Sequence, residues 1–104
     1  MTGNSDYENV LHTKLDTILD LVYEGDTSNI LQIRKLLYNV CTHNINRCDI
    51  LKYCFLQTVS KLETTQQKID LLNFTYEINT KLHSSFKTTI HIEYYLIALM
   101  NFIK

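Results

Sequence analysis

Residues 88–104 read TTIHIEYYLIALMNFIK, a run that is almost wholly apolar or aromatic. Three polar side chains interrupt it: His91, Glu93 and Asn101. Spacings of three and four residues are typical of an amphipathic helix, and here they join one apolar face: Ile92, Tyr95, Leu96, Leu99 and Ile103. A helix that spans a bilayer needs roughly 20 apolar residues. This run is shorter, so we expect no membrane span.

The opposite side of this predicted helix is apolar too, because it carries Tyr94, Ile97 and Met100. A helix that is apolar all round has to be covered on more than one side. We therefore expect a partner face built from these three residues, with Glu93 and Asn101 as its polar rim. The alternative is that all of them fill the core of the same bundle.

The first half of this run also fits a β-strand. Residues 88–95 are rich in β-branched and aromatic side chains and partly alternate with polar ones. The rest of the chain has helical periodicity, so a strand here would have nothing to pair with. The chain also contains no proline and two glycines, as expected of a helical protein. These observations favour a helix.

Four further helices are predicted upstream, at about residues 6–24, 29–42, 47–62 and 65–83. The first has an apolar stripe at helical spacing: Leu11, Leu15, Ile18, Leu19 and Val22. The fourth carries the following apolar residues: Ile69, Leu72, Phe74, Tyr76, Ile78 and Leu82. With the last helix, this predicts a single all-α domain over residues 1–104, a compact bundle of about five helices joined by short loops.

Capping residues mark the predicted helix ends. Gly25 is suited to ending the first helix, since glycine tolerates a left-handed backbone. Asp26 and Asn46 stand where a side-chain oxygen can cap the second and third helices. Thr64 and Gln67 form a T-x-x-Q capping box at the start of the fourth.

Composition argues against several classes of function. The net charge is −1, from 10 basic and 11 acidic residues, which gives no general attraction for nucleic acid or an anionic membrane. Gly3 and Gly25 are the two glycines, so no glycine-rich phosphate loop is present. Acidic pairs such as Asp16 and Asp20 lie on a predicted solvated face. We expect no catalytic residue, no cofactor and no small-molecule substrate.

The three cysteines, at positions 41, 48 and 54, are expected to be free thiols. The alternative is a metal site formed by Cys41, His43 and Cys48. Their spacing does not match the paired C-x2-C arrangement of structural zinc sites. We therefore expect no metal.

Three segments of the chain resemble short sequence motifs that occur together in one protein family. Residues 49–52 read DILK, and residues 68–82 read KIDLLNFTYEINTKL, like a "K-…-L-…-E-…-R-L" helix. Residues 90–99 read IHIEYYLIAL, like a closing "I-[HQ]-L-E-x-L-[LI]-A-x-[LF]" helix. In order and spacing, across about residues 36–102, the chain resembles the C-terminal collar domain of replication factor C small subunits, which belong to the sliding-clamp loader of eukaryotes and archaea.

This resemblance implies an oligomerisation role. Collar domains of the family are helical bundles that pack side by side and hold the loader ring together while the ATPase modules move. The partners it implies are other clamp-loader subunits. ATP, the sliding clamp and primer–template DNA would be contacted mainly by other parts of the complex during DNA replication. A eukaryotic loader would place the protein in the nucleus.

Two other classes of function fit the same composition. The first is a free-standing helical adaptor or regulator that binds a partner helix in a groove, with no ATPase domain. The second is a helical domain that binds nucleic acid, which would show steep salt dependence. The net charge of −1 argues against a nucleic-acid-binding domain.

Overall fold

The computed structural model describes the backbone of residues 3–42, 45–84 and 88–103, and the side chains of these ranges from Val10 onward. It contains five α-helices: α1 (Gly3–Glu24), α2 (Ile30–Cys41), α3 (Arg47–Val59), α4 (Thr65–Ser84) and α5 (Thr88–Ile103). A 3₁₀ turn at Thr27–Asn29 leads into α2. The described ranges contain no strand, which confirms the predicted all-α bundle of about five helices and the helical interpretation of the last segment.

Most of the predicted capping residues act where the sequence placed them. Gly25 has a φ of 68° at the end of α1, a left-handed conformation that glycine adopts without steric cost. The Asn46 side chain accepts from the Cys48 N–H and caps α3, as predicted. Asp26 accepts from the Ser28 N–H, but it caps the 3₁₀ turn rather than α2, whose N-cap Asn29 makes no side-chain capping bond. These bonds satisfy donors that a helix start would otherwise leave unpaired.

The capping box before α4 is formed in both directions. The Gln67 amide N–H donates to Thr64 Oγ1 at 3.1 Å, and the Thr64 N–H donates to Gln67 Oε1 at 3.3 Å.

The third helix ends earlier than predicted, at Val59, because the N–H groups of Lys61 and Leu62 donate to the carbonyls of Thr58 and Val59, three residues back, and form a tight turn. Leu62 in that turn is nevertheless buried. The sequence predicts loops at residues 43–46 and 84–88. The structure instead ends α4 at Ser84 and begins α5 at Thr88, while His43, Asn44 and residues 85–87 lie outside the described residues.

The last helix is at the centre of the bundle. α5 packs against each of the other four helices, while α1 also packs on α2 and α3, and α3 packs on α4. The order α2, α1, α3, α4 therefore forms a curved layer around α5. The radius of gyration is 13.4 Å, close to the roughly 13 Å of a compact domain of 100 residues.

The core confirms most of the predicted apolar faces. The α1 stripe is buried from Leu11 to Val22 as predicted. α5 contributes five buried side chains: Ile92, Tyr95, Leu96, Leu99 and Met100. Burying one such side chain fully stabilises a fold by about 1.5–3 kcal/mol. The stability of the bundle therefore depends strongly on its last helix.

Two buried threonines pair with tyrosine hydroxyls in this core. Thr75 Oγ1 of α4 is 2.7 Å from the Tyr95 hydroxyl of α5, and it also bonds the Leu71 carbonyl. Thr58 Oγ1 of α3 is 3.0 Å from the Tyr23 hydroxyl of α1. Because an unpaired buried hydroxyl is costly, these bonds fix how the helices meet. Burial raises the pKa of Tyr95, since the ionised phenolate would lose its hydration.

Candidate functional site: the outer face of α5

The side of α5 that faces solvent is largely apolar. Ile90 and Tyr94 are 51% and 56% exposed, Ile97 is partly exposed and Asn101 is exposed. Their spacing of i, i+4, i+7 and i+11 places them in one line along the helix. We call these four residues the outer stripe of α5. Exposed apolar surface on a helix that already packs against four others is the main feature of the molecule that its own fold leaves unexplained.

Met100, predicted as part of the partner face, lies in the core instead. Met100 is 4% exposed and packs in the core, so it is not available to a partner while the bundle is folded. It lies one turn after Leu96 and therefore shares the buried side of α5. Ile90, four residues before Tyr94, extends the exposed side instead. Tyr94, Ile97 and Asn101 are where the sequence analysis expected them, on the side away from the core.

Glu93, predicted as a rim residue, joins α5 to α2. Its carboxylate accepts hydrogen bonds from the Arg34 guanidinium at 2.9 and 3.1 Å and from the Tyr38 hydroxyl at 3.2 Å. The carboxylate raises the pKa of Tyr38, because ionising that hydroxyl would break the bond and bring two negative charges together. The same pairing raises the pKa of Arg34. One edge of the outer stripe is therefore fixed by polar contacts.

The other edge of the stripe rests on an aromatic cluster. The Phe74 ring of α4 meets Tyr94 edge to face with 5.9 Å between centroids. It also stacks on Tyr95 at 5.4 Å and on Phe102 at 5.9 Å. Contacts of this geometry restrict ring orientation. Tyr94 thus stands on the surface supported by Phe74, so a partner would lose little conformational entropy in ordering it.

A cleft of about 490 Å³ lies where the end of α2 meets the start of α5. Tyr38 and Ile90 line it together with Arg47. The Arg47 guanidinium donates to the carbonyls of Ile45 and Cys41, and its Nε is buried without a hydrogen-bond partner. Arg47 therefore uses its charge to hold the α2–α3 connection together. The cleft continues the apolar surface of the outer stripe toward α2.

The described side chains offer no group of three His, Cys, Asp or Glu residues that could hold a metal ion. Cys41 and Cys48 are partly buried, Cys54 is fully buried, and all three are free thiols. His43, the third member of the alternative metal set, lies outside the described residues. The Cys48 sulfur is instead 3.8 Å from His83 Nε2. Burial raises the pKa of Cys54 to about 12, which keeps that thiol protonated.

Asp16, one of the acidic residues on α1, makes a structural contact. Asp16 accepts a hydrogen bond of 2.6 Å from the Tyr53 hydroxyl, and the Tyr53 ring stacks on His12 with 4.2 Å between centroids. Desolvation and the bond to Asp16 raise the pKa of Tyr53 to about 12. Asp16 therefore helps to hold α3 against α1. No helix in the described ranges is long and apolar enough to cross a membrane.

Sequence reasoning missed a second exposed apolar surface, on α4. Ile69, Leu72 and Tyr76 all face solvent, and Tyr76 is the most exposed at 72%. The buried side of α4 consists instead of Leu71, Thr75, Ile78 and Leu82. The signal was present in the sequence: positions 69, 72 and 76 share one helical face, and positions 71, 75, 78 and 82 share another.

Comparison with known proteins identifies no relative of this chain. No protein family, curated protein or solved structure significantly matches the chain. The role of the two apolar surfaces therefore has to be inferred from their own residues.

Proposed function

We propose that this chain is an assembly domain whose outer α5 stripe packs against a neighbouring helical domain. The observation that carries the proposal is the exposure of Ile90, Tyr94 and Ile97 on the central helix of the bundle. Contiguous exposed apolar surface of this kind marks protein interaction sites. Tyrosine is enriched at the energetic centre of such interfaces, because its ring is large and its hydroxyl tolerates water.

We further propose the specific role that the sequence resemblance implies, the collar domain of a replication factor C small subunit. In that role the chain holds neighbouring clamp-loader subunits together. Nucleotide, sliding clamp and DNA would be bound elsewhere in the loader, which would act in the nucleus of a eukaryote. The five-helix bundle and the apolar outer side of its last helix support this role, since a domain that packs side by side needs an apolar lateral surface.

Co-expression with the clamp-loader ATPase subunits encoded in the same genome tests this function. The wild-type chain should co-elute with at least one of them in size-exclusion chromatography. Tyr94→Glu should abolish co-elution, because it places a charge at the centre of the apolar surface. Val10→Asp is the matched control, since Val10 is equally exposed but lies on α1. Far-ultraviolet circular dichroism confirms that both variants are folded.

A wild-type chain that elutes alone in the presence of every loader subunit would overturn the clamp-loader role. Equal co-elution of Tyr94→Glu and wild type would instead overturn the outer stripe of α5 as the contact surface. An immunoblot of source-cell extract adds an independent check, because a native product of 12.3 kDa would lack an ATPase module and favour the free-standing adaptor.

A further inference from the structure

A second candidate surface is the groove between α3 and α4. Apolar or aromatic side chains and a few polar ones line it: Cys48, Leu51, Lys52, Phe55, Leu72, Thr75, Tyr76 and Asn79. Its volume is about 210 Å³, below the roughly 300–1,000 Å³ of small-molecule sites. We therefore expect the groove to accept a protruding side chain of another protein rather than a cofactor.

The groove and the outer stripe of α5 are separate surfaces. Between them, the exposed side of α4 carries a polar strip that includes Asp70, Asn73 and Glu77. Each face also has its own shape, because the stripe is the convex side of one helix and the groove is a concavity between two. A two-fold symmetric pair uses the same face on both copies, whereas two unlike faces produce head-to-tail contacts.

The charged residues of α4 that border the outer stripe are mainly acidic, whereas those at the groove are basic. Asp70 and Glu77 lie four residues before and three residues after Phe74, so they share its side of α4 and border Tyr94. Lys81 follows one turn later on that side. At the other face, Lys52 lines the groove, and Lys68 lies one turn before Leu72. No ion pair involves these lysines within the described residues, which leaves both available to a partner carboxylate.

From these observations we propose that the outer α5 stripe of one copy docks into the α3–α4 groove of a second copy, with Tyr94 as the inserted side chain. This inference rests on the proposed assembly function and names its partner and geometry. Tyr94 fits the role because Phe74 supports its ring at the centre of the stripe. In this arrangement the acidic border of one copy meets the basic border of the next.

Sedimentation velocity of the isolated chain and of one variant in each face tests the proposal. Tyr94→Glu alters the stripe, and Tyr76→Glu alters the groove; both side chains are more than half exposed. The wild type should self-associate with increasing concentration. Each variant should weaken this association by more than roughly tenfold, as expected for a central aromatic residue. Val10→Asp should associate like the wild type.

The decisive measurement is an equimolar mixture of the two variants. In a head-to-tail contact each variant keeps one intact face, so the mixture should recover a two-copy complex that neither variant forms alone. Recovery at wild-type affinity supports the proposal. A mixture that remains monomeric overturns it, and so does a Tyr76→Glu variant that associates normally.

These outcomes are separable from those of the clamp-loader experiment. If Tyr94→Glu loses co-elution with loader subunits while Tyr76→Glu keeps normal self-association, the assembly function stands and the groove proposal falls. A wild-type chain that stays monomeric at all concentrations overturns the second copy as the occupant, whatever the co-elution result. If the chain neither self-associates nor co-elutes, both proposals fall.

Discussion

Tyr94 and Tyr95 are neighbours in the chain, but they lie on opposite sides of α5. The Tyr95 side chain is fully buried, and its hydroxyl is paired with Thr75. Tyr94 is 56% exposed, and its ring meets Phe74 edge to face. The two sides of α5 are similarly apolar, so hydrophobicity alone does not decide which one is covered. A buried tyrosine also needs a hydroxyl partner, and Thr75 of α4 provides one on the inner side.

The largest expected difference between the two sides is in core packing. Leu99→Ala should lower the free energy of unfolding by about 2–5 kcal/mol, because it removes a fully buried side chain and leaves a cavity. Ile90→Ala, on the exposed side, should change it by less than about 1 kcal/mol. Urea denaturation at concentrations where the protein is monomeric measures both. Equal losses for the two variants would mean that the outer stripe is packed as firmly as the core.

A smaller difference concerns the two tyrosine hydroxyls. At pH 8, Tyr95→Phe should lose about 1 kcal/mol of stability, because the bond to Thr75 disappears. Tyr94→Phe is the matched control and should change stability by less than about 0.5 kcal/mol.

Alkaline pH sharpens the same comparison. Burial raises the pKa of Tyr95 above the value of about 10 expected in the unfolded chain. The stability that the Tyr95 hydroxyl adds to the folded state is therefore complete below pH 10. This stability is lost as pH rises further, because the unfolded chain releases the Tyr95 proton at a lower pH than the folded chain does. The difference in free energy of unfolding between the wild type and Tyr95→Phe should therefore shrink between pH 10 and 11.5, at up to about 1.4 kcal/mol per pH unit. A difference that stays constant over this range would contradict the burial of the Tyr95 hydroxyl.

The smallest expected effect lies at the polar edge of the stripe. Glu93→Gln should lower the free energy of unfolding by about 0.2–1 kcal/mol. The effect is small because Arg34 is 52% exposed and well screened by water, although Glu93 itself is 12% exposed. A double-mutant cycle with Arg34→Met isolates the pair, and 1 M salt should reduce its coupling energy. Coupling above about 3 kcal/mol would mean that this edge is as buried as the core.

Local signals in the sequence were sufficient for the five helices and for several of their ends, although not for the end of α3. Gly25, Asn46 and the Thr64–Gln67 box act through neighbouring backbone groups, so their roles could be predicted without knowledge of the fold. The α1 stripe was predicted for a related reason, because a strongly amphipathic helix has one apolar face to bury. Where a single face was apolar, sequence and structure agree.

The orientation of α4 and α5 could not be predicted in this way. Each has apolar residues on two sides, and the choice depends on contacts between helices that are distant in sequence. Thr75 is buried although threonine is polar, because Tyr95 and the Leu71 carbonyl both bond its hydroxyl. Met100 was assigned to the partner face for the same reason, since nothing in its own neighbourhood distinguishes the two sides of α5.

The central place of α5 has a consequence for synthesis. Chains emerge from the ribosome N-terminus first, at about 5–20 residues per second. The helix that all four others pack against is therefore the last of the five to be made. Until it appears, the inward faces of α1 to α4 have no central helix to cover them, and such transiently exposed apolar surface promotes aggregation. The nascent chain would then depend on rapid completion, or on a chaperone, to reach its folded state.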